Sequence, residues 1–122
     1  KLGYRPVQAF DYDSEAVCVT RRNAVKNRVS DRLQLKIGDV TRLSLNTRVK
    51  HDVVCANLFY DLLIFNSERL IARVKPGGAL VLAGILDTQF AEVRAAFEAC
   101  GMRLFRTQRH GEWRSGRFVH AD

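Results

Sequence analysis

Apolar residues along the chain fall into short runs suited to strands, and between them lie longer stretches with the spacing of amphipathic helices. The first run, Val7 to Phe10, gives way to Asp11-Tyr12-Asp13-Ser14. The residues from Glu15 to Asn27 then carry Ala16, Val17, Ala24 and Val25 without a glycine or proline. This predicts a strand, an acidic loop and a helix capped by Asp13 or Ser14. Leu33, Leu35 and Ile37 alternate with Gln34 and Lys36 ahead of Gly38-Asp39, the period of a second strand with its own acidic end. Thr41 to Lys50 is a polar connection with no assigned form. A strand over Asp52 to Ala56 follows, then a helix from about Phe59 to Arg73 with apolar residues at Leu62, Leu63, Leu70, Ile71 and Val74.

Lys75-Pro76-Gly77-Gly78 breaks that helix and leads into Ala79-Leu80-Val81-Leu82-Ala83, the continuous apolar run of a strand buried on both faces. Asp87 is placed to cap a helix with Phe90, Val93, Phe97 and Cys100 on one stripe, and Gly101 stands where a left-handed C-cap is expected. Met102 and Leu104, then Phe118 and Val119, flank the turn-rich segment from His110 to Gly116 and predict an antiparallel pair. The order argues for an α/β fold: a doubly wound, mostly parallel sheet with an antiparallel final strand. A single domain over residues 1–122 is expected, with no internal repeat or linker.

Composition narrows the class. With 122 residues, 47% hydrophobic and 27% charged, the chain has the make-up of an ordinary globular domain with one core. Leu58 to Phe65 and Ala79 to Leu86 fall far short of the roughly 20 residues a membrane span needs, so no membrane partner is expected. Cys18, Cys55 and Cys100 are too far apart for a zinc or redox pair and fall on core-like positions; with His51, His110 and His120 scattered, no metal site is expected. The cytosol is the natural compartment, although the chain begins at Lys1 rather than at a methionine. The net charge of +7 favours polyanions. Arg21, Arg22, Lys26 and Arg28 form one basic cluster, and Arg103, Arg106, Arg109, Arg114 and Arg117 another; nucleic acid could bind there, or these could be solvated faces. Oligomeric state is not legible.

The chemistry-bearing residues gather at strand ends, where open α/β sheets bind ligands. In Asp52-Val53-Val54-Cys55-Ala56-Asn57-Leu58-Phe59-Tyr60 a strand ends at Asn57. Its amide oxygen and nearby backbone carbonyls can hold an amino group by its hydrogens, with Tyr60 as an apolar wall. That suits methyl transfer onto nitrogen. Asn57 equally suits the cap of the following helix. Asp11 and Asp39 end successive strands, so one carboxylate can accept from ribose hydroxyls and the other from an adenine amine; each also fits a simple cap or turn. Within its apolar run Cys55 reads as a buried structural thiol rather than a nucleophile.

These residues resemble the class I S-adenosylmethionine-dependent methyltransferases, and within them the PrmA-like ribosomal protein methyltransferases. The resemblance rests on Phe10 to Val17, on Thr20-Arg21-Arg22-Asn23-Ala24 with Asn27, and on Ala56-Asn57-Leu58. It continues through Lys75-Pro76-Gly77-Gly78, Leu82-Ala83-Gly84-Ile85-Leu86 with Gln89, and Gly111-Glu112-Trp113. It implies the Rossmann-like fold of that class, S-adenosylmethionine as cofactor and a protein substrate, such as a ribosomal protein lysine. By the same resemblance Asp11, Tyr12, Asp39, Val40 and Asn57 bind cofactor, Asn57 is catalytic, and Leu58, Phe59 and Tyr60 contact substrate. Asn57-Leu58-Phe59-Tyr60 is also similar to the asparagine-proline-proline-tyrosine motif of base and glutamine methyltransferases, with Leu58 and Phe59 in place of both prolines.

Ser14 stands where the family usually has proline, Arg28 where it has glycine, and Met102 where phenylalanine is common. More consequential, the family's first strand and glycine-rich loop should precede Leu2-Gly3-Tyr4, so the chain reads as a fragment of a larger enzyme. Hydrogen bonds to charged groups contribute about 1.5–3 kcal/mol each. Losing two or three would weaken cofactor binding by roughly two to six powers of ten. Such a fragment would be inactive alone, with strand edges exposed where the missing strand belongs. A noncatalytic interaction module derived from a methyltransferase is the alternative.

Overall fold

The structure, a computed structural model, describes residues 2–121. The chain divides into two compact units, Lys1–Leu43 and Ser44–Asp122, each with its own sheet.

In the first unit β1 (Val7–Asp11) lies parallel to β2 (Leu33–Ile37), from Val7 opposite Leu33 to Asp11 opposite Ile37. Helix α1 (Ser14–Lys26) connects them. Asp13 is its N-cap, accepting from the Glu15 N–H at 2.9 Å, so the acidic loop does begin the helix. Only part of the expected apolar stripe is used: Val17 and Ala24 are buried, while Val25 is 61% exposed beside Cys18.

The helix ends in a Schellman arrangement. The N–H of Arg28 donates to Val25 O at 3.0 Å, and that of Val29 to Ala24 O at 2.9 Å. This needs left-handed backbone after the C-cap Asn27, and Arg28 takes it at φ 59. The departure from glycine at Arg28 is therefore a conformational cost, because a Cβ crowds the backbone there.

The second unit holds four strands in the order β3-β4-β6-β5. Strands β3 (His51–Asn57) and β4 (Val74–Leu86) are parallel, while β6 (Trp113–His120) runs antiparallel to both β4 and β5 (Met102–His110). The expected α/β fold with parallel strands and an antiparallel final strand is present, as two sheets rather than one: β1–β2 and β3–β4 pair parallel, β4–β6 and β5–β6 antiparallel.

Helix α4 (Phe90–Ala99) lays Phe90, Val93 and Phe97 on the core, with the Phe97 and Phe118 rings 5.7 Å apart. Leu63, Leu80, Leu82 and Ile85 complete it at 0% exposure. Gly101 follows the helix at φ 92, in the expected left-handed position.

Several expectations are corrected. The helix expected over Phe59 to Arg73 is two short ones, α2 (Tyr60–Phe65) and α3 (Ser67–Ile71). Between them the fully buried Asn66 turns its side-chain amide onto Leu62 O at 2.8 Å, a local bond that competes with helix continuation. Lys75-Pro76-Gly77-Gly78 does not precede a strand but lies inside β4. The register passes from His51 opposite Val74 to Val53 opposite Ala79, and the extra residues are absorbed as an irregularity.

Asp87 caps no helix. It starts a 3-10 turn (Asp87–Gln89), and its carboxylate accepts from Arg114 Nε at 2.6 Å with Arg109 Nη1 at 3.5 Å. Cys18 and Cys55 are exposed rather than in the core. On β3 it is Ala56 that is buried, and alternation puts Val53 and Cys55 on the opposite, exposed face. No helix among the described residues is long and apolar enough to cross a membrane.

Candidate active site

In the first unit the polar groups stand at the carboxyl ends of β1 and β2. Asp11 closes β1; its Oδ1 accepts from the Asp13 N–H at 2.9 Å, and its backbone O accepts from the Gly38 N–H at 2.9 Å. The chain after β1 is thus tied to the chain after β2. Gly38 permits this close approach, since a Cβ there would meet the Phe10 ring at 2.9 Å.

Asp39 caps the 3-10 turn Val40–Arg42: Oδ1 accepts from Thr41 N at 2.9 Å and from Thr41 Oγ1 at 2.7 Å. Those two bonds, the hydroxyl's foremost, hold its carboxyl below the ordinary value of 3.8. Both carboxylates are therefore oriented through one oxygen, Asp11 exposed and Asp39 half-buried. The expected turn and the expected ligand role are compatible, because Oδ2 of each remains for a hydroxyl or amine. Tyr12 is 79% exposed, and Val40 is buried at 8%.

In the second unit Asn57 is the last residue of β3, opposite Ala83 of β4. Helix α2 starts at Tyr60 with Phe59 at its N-cap and no side-chain capping bond. Asn57 is thus not the cap of that helix. Leu58 is half-buried, Phe59 is 75% exposed and Tyr60 is half-buried, so Leu58-Phe59-Tyr60 offers an apolar surface next to the Asn57 amide.

Sequence reasoning missed the contribution of Gly84 to this end of the unit. It takes φ 79, and the place where its Cβ would stand is filled by Asn57 Oδ1 and by Leu58 O at 3.2 Å. A lone glycine inside an apolar strand run was the available signal, since such glycines mark bulges and close backbone approaches.

The basic clusters have separate fates. Arg21, Arg22 and Lys26 line a shallow groove on α1 with Cys18 and Val25. In the hairpin, Arg114 and Arg109 are engaged by Asp87, and Arg117 lies over the Phe105 ring at 4.7 Å.

Solved structures with this fold include methyltransferases. The L11 methylase of Lactobacillus delbrueckii subsp. bulgaricus superposes with a TM-score of 0.86 at 21% identity, over 99% of this chain and 61% of its own. The CcbJ methyltransferase of Streptomyces caelestis does so with a TM-score of 0.73 at 11% identity, over 96% of this chain and 75% of its own. The fold is thus the Rossmann-like one of class I methyltransferases.

The sequence is more specific. A family model described as ribosomal protein L11 methyltransferase (PrmA) matches residues 1–120, and the chain belongs to that family. Proteins named ribosomal protein L11 methyltransferase from Exiguobacterium sp. and Campylobacter lari are 34% and 37% identical over 113 and 115 residues. These alignments cover 93% and 94% of the chain but 35% and 38% of the relatives, so the chain spans about a third of their length.

Proposed function

We propose that residues 1–122 form part of an S-adenosylmethionine-dependent N-methyltransferase domain in a longer chain, acting on a protein amine such as a ribosomal protein lysine. Membership of the L11 methyltransferase family supports this reading. The geometric observation that carries it is Asn57 at the end of β3, not used as a cap and followed by an exposed apolar surface.

S-adenosylmethionine supplies the methyl group. Asp11, oriented by its bond from Asp13, fits the ribose hydroxyls as an acceptor; Tyr12, Asp39 and Val40 would flank the nucleoside. Asn57 would act on the acceptor side and contact the cofactor's reactive end, with Leu58, Phe59 and Tyr60 lining the approach of the substrate side chain.

A lysine amine has a reference pKa near 10.4 and must lose a proton before it attacks. Asn57 favours the neutral amine by accepting its hydrogens without adding a negative charge, and the apolar neighbours favour it by excluding water. Catalysis by such groups is mostly alignment.

The test is a radiolabelled methyl-transfer assay on the longer protein and its Asn57→Asp variant, with ribosomal protein and RNA offered in parallel. Aspartate holds the lysine as a charged ammonium. Turnover on protein should fall at least tenfold, about 1.4 kcal/mol in the barrier, with a smaller change in cofactor affinity. Wild-type turnover would return Asn57 to a structural role. Labelling of RNA alone would favour the base-methylating reading suggested by Asn57-Leu58-Phe59-Tyr60, with the basic clusters gripping the backbone.

A further inference from the structure

We propose that Gly84 is a positioning residue for the methyl acceptor, fixing where Asn57 Oδ1 and the Leu58 carbonyl stand. The inference rests on the reading of Asn57 as the residue that orients the amine. Four observations support it.

Gly84 has φ 79, in the region that side chains with a Cβ avoid. It sits in a bulge: the β4–β6 register passes from Leu82 opposite Gly116 to Ile85 opposite Arg114, leaving one extra residue on β4. Bulges re-aim a strand and gather beside functional sites. On its other edge, the pairing of β3 with β4 ends at Asn57 opposite Ala83, the residue before Gly84.

The fourth observation concerns space. Asn57 Oδ1 overlaps the point where a Cβ on Gly84 would lie, and Leu58 O stands 3.2 Å from it, closer than a Cβ ordinarily sits. Two acceptor oxygens thus converge over one residue that has no side chain.

The bulge has little freedom to yield. Leu82 and Ile85 on either side are at 0% exposure, and beyond them the Leu86 N–H donates to Gln89 Oε1 at 3.3 Å and the Asp87 N–H to Glu112 O at 2.8 Å. A methyl group added at Gly84 must therefore displace the Asn57 amide and the Leu58 carbonyl, not the strand.

The experiment compares Gly84→Ala, Gly84→Asn, Asn57→Ala and Asn57→Ala/Gly84→Ala in the longer protein. Four quantities are read: kcat, KM for the protein acceptor, calorimetric Kd for S-adenosylmethionine, and the Asn57 side-chain amide signal by NMR in the cofactor-free protein.

Gly84→Ala should move that signal and lower kcat at least tenfold, with a smaller change in the cofactor Kd. Gly84→Asn should behave alike, because asparagine tolerates positive φ but still carries a Cβ. With Asn57 already truncated, adding Gly84→Ala should lower kcat by less than threefold further, the non-additivity expected when one residue acts through another. Should Gly84→Ala fail to fold, recovery of folding in the double variant would support the proposal, and no recovery would overturn it.

An unmoved amide signal in Gly84→Ala, or fully additive losses, would also overturn it. Wild-type turnover in Asn57→Ala would instead sink the acceptor role of Asn57, and this inference with it. Reduced turnover in Asn57→Ala with normal turnover in Gly84→Ala would sink this inference alone.

Discussion

Helix α1 in the first unit and helix α4 in the second both pass into a residue with left-handed backbone, Arg28 at φ 59 and Gly101 at φ 92. Glycine takes that conformation at little cost, whereas arginine pays for its Cβ. The packing differs in the same direction. Every large side chain that is fully buried, including Phe97, Phe118, Leu80 and Leu82, lies in the second unit. The first unit buries only Val17, Ala24 and Val40 among its hydrophobic residues, and its strands leave Val7, Phe10 and Ile37 exposed. The carboxylates assigned to the cofactor thus stand on the thinly packed unit, and the amide assigned to the acceptor on the well-packed one.

The largest expected effect tests that contrast in packing. Phe118→Ala should cost about 3–5 kcal/mol, as for other aromatic truncations in cores. Val17→Ala, losing two methyl-sized groups, should cost about 1.5 kcal/mol. Chemical denaturation gives both values, and native-state hydrogen exchange should show β4 and β6 opening later than β1 and β2. Equal losses, or earlier exchange in β4, would break the comparison.

Next in size is Asp11→Ala. Removing an acceptor for ribose hydroxyls should weaken S-adenosylmethionine binding to the longer protein by about 1.5–3 kcal/mol, roughly tenfold or more. Titration calorimetry decides it, and a change within twofold would remove the ribose assignment. Arg28→Gly works in the opposite sense: relief of the left-handed strain should stabilise the first unit by about 1 kcal/mol, read as slower exchange of the α1 amides. No gain would mean that the strain is already relaxed.

Acid should have the smallest effect, and it should reach both units. The Arg114 side-chain hydrogen bond, foremost, lowers the pKa of Asp87 below 3.8, as the Thr41 bonds do for Asp39. A depressed folded-state pKa contributes stability that is present above the unfolded value and lost as pH falls through the folded one. Between pH 4 and the lowered pKa values the Asp87 and Asp39 contacts should therefore weaken. NMR titration should show Arg114→Met raising the Asp87 pKa and Thr41→Val raising that of Asp39, neither change affecting the other site.

Much of this was legible in the sequence because it depends on local pattern. The alternation from Leu33 to Ile37 marks β2 residue for residue, Asp11 and Asn57 do end their strands, and Asp39 follows β2 after one glycine. The misses depended on distant partners or on a single buried polar side chain. Asp87 has the chemistry of a cap, but the arginines that claim it come from the hairpin more than twenty residues away. Asn66 looks like one more helical residue until its burial directs its amide to Leu62 O. Cys55 sits in an apolar run, yet alternation places it on the exposed face. Gly84 was visible as a residue of the family pattern, while its contact with Asn57 required the bulge in β4.

The two edges of the four-stranded sheet are chemically unequal. On one margin β5 carries Arg103, Arg106 and Arg109, and like charges there repel an incoming strand from another molecule. The other margin, β3, presents Val53-Val54-Cys55-Ala56 with no charge among them. An uncharged, β-prone edge is suited to pairing with a further strand, so in the longer protein proposed above β3 is the margin fit to receive one and β5 the margin that is not.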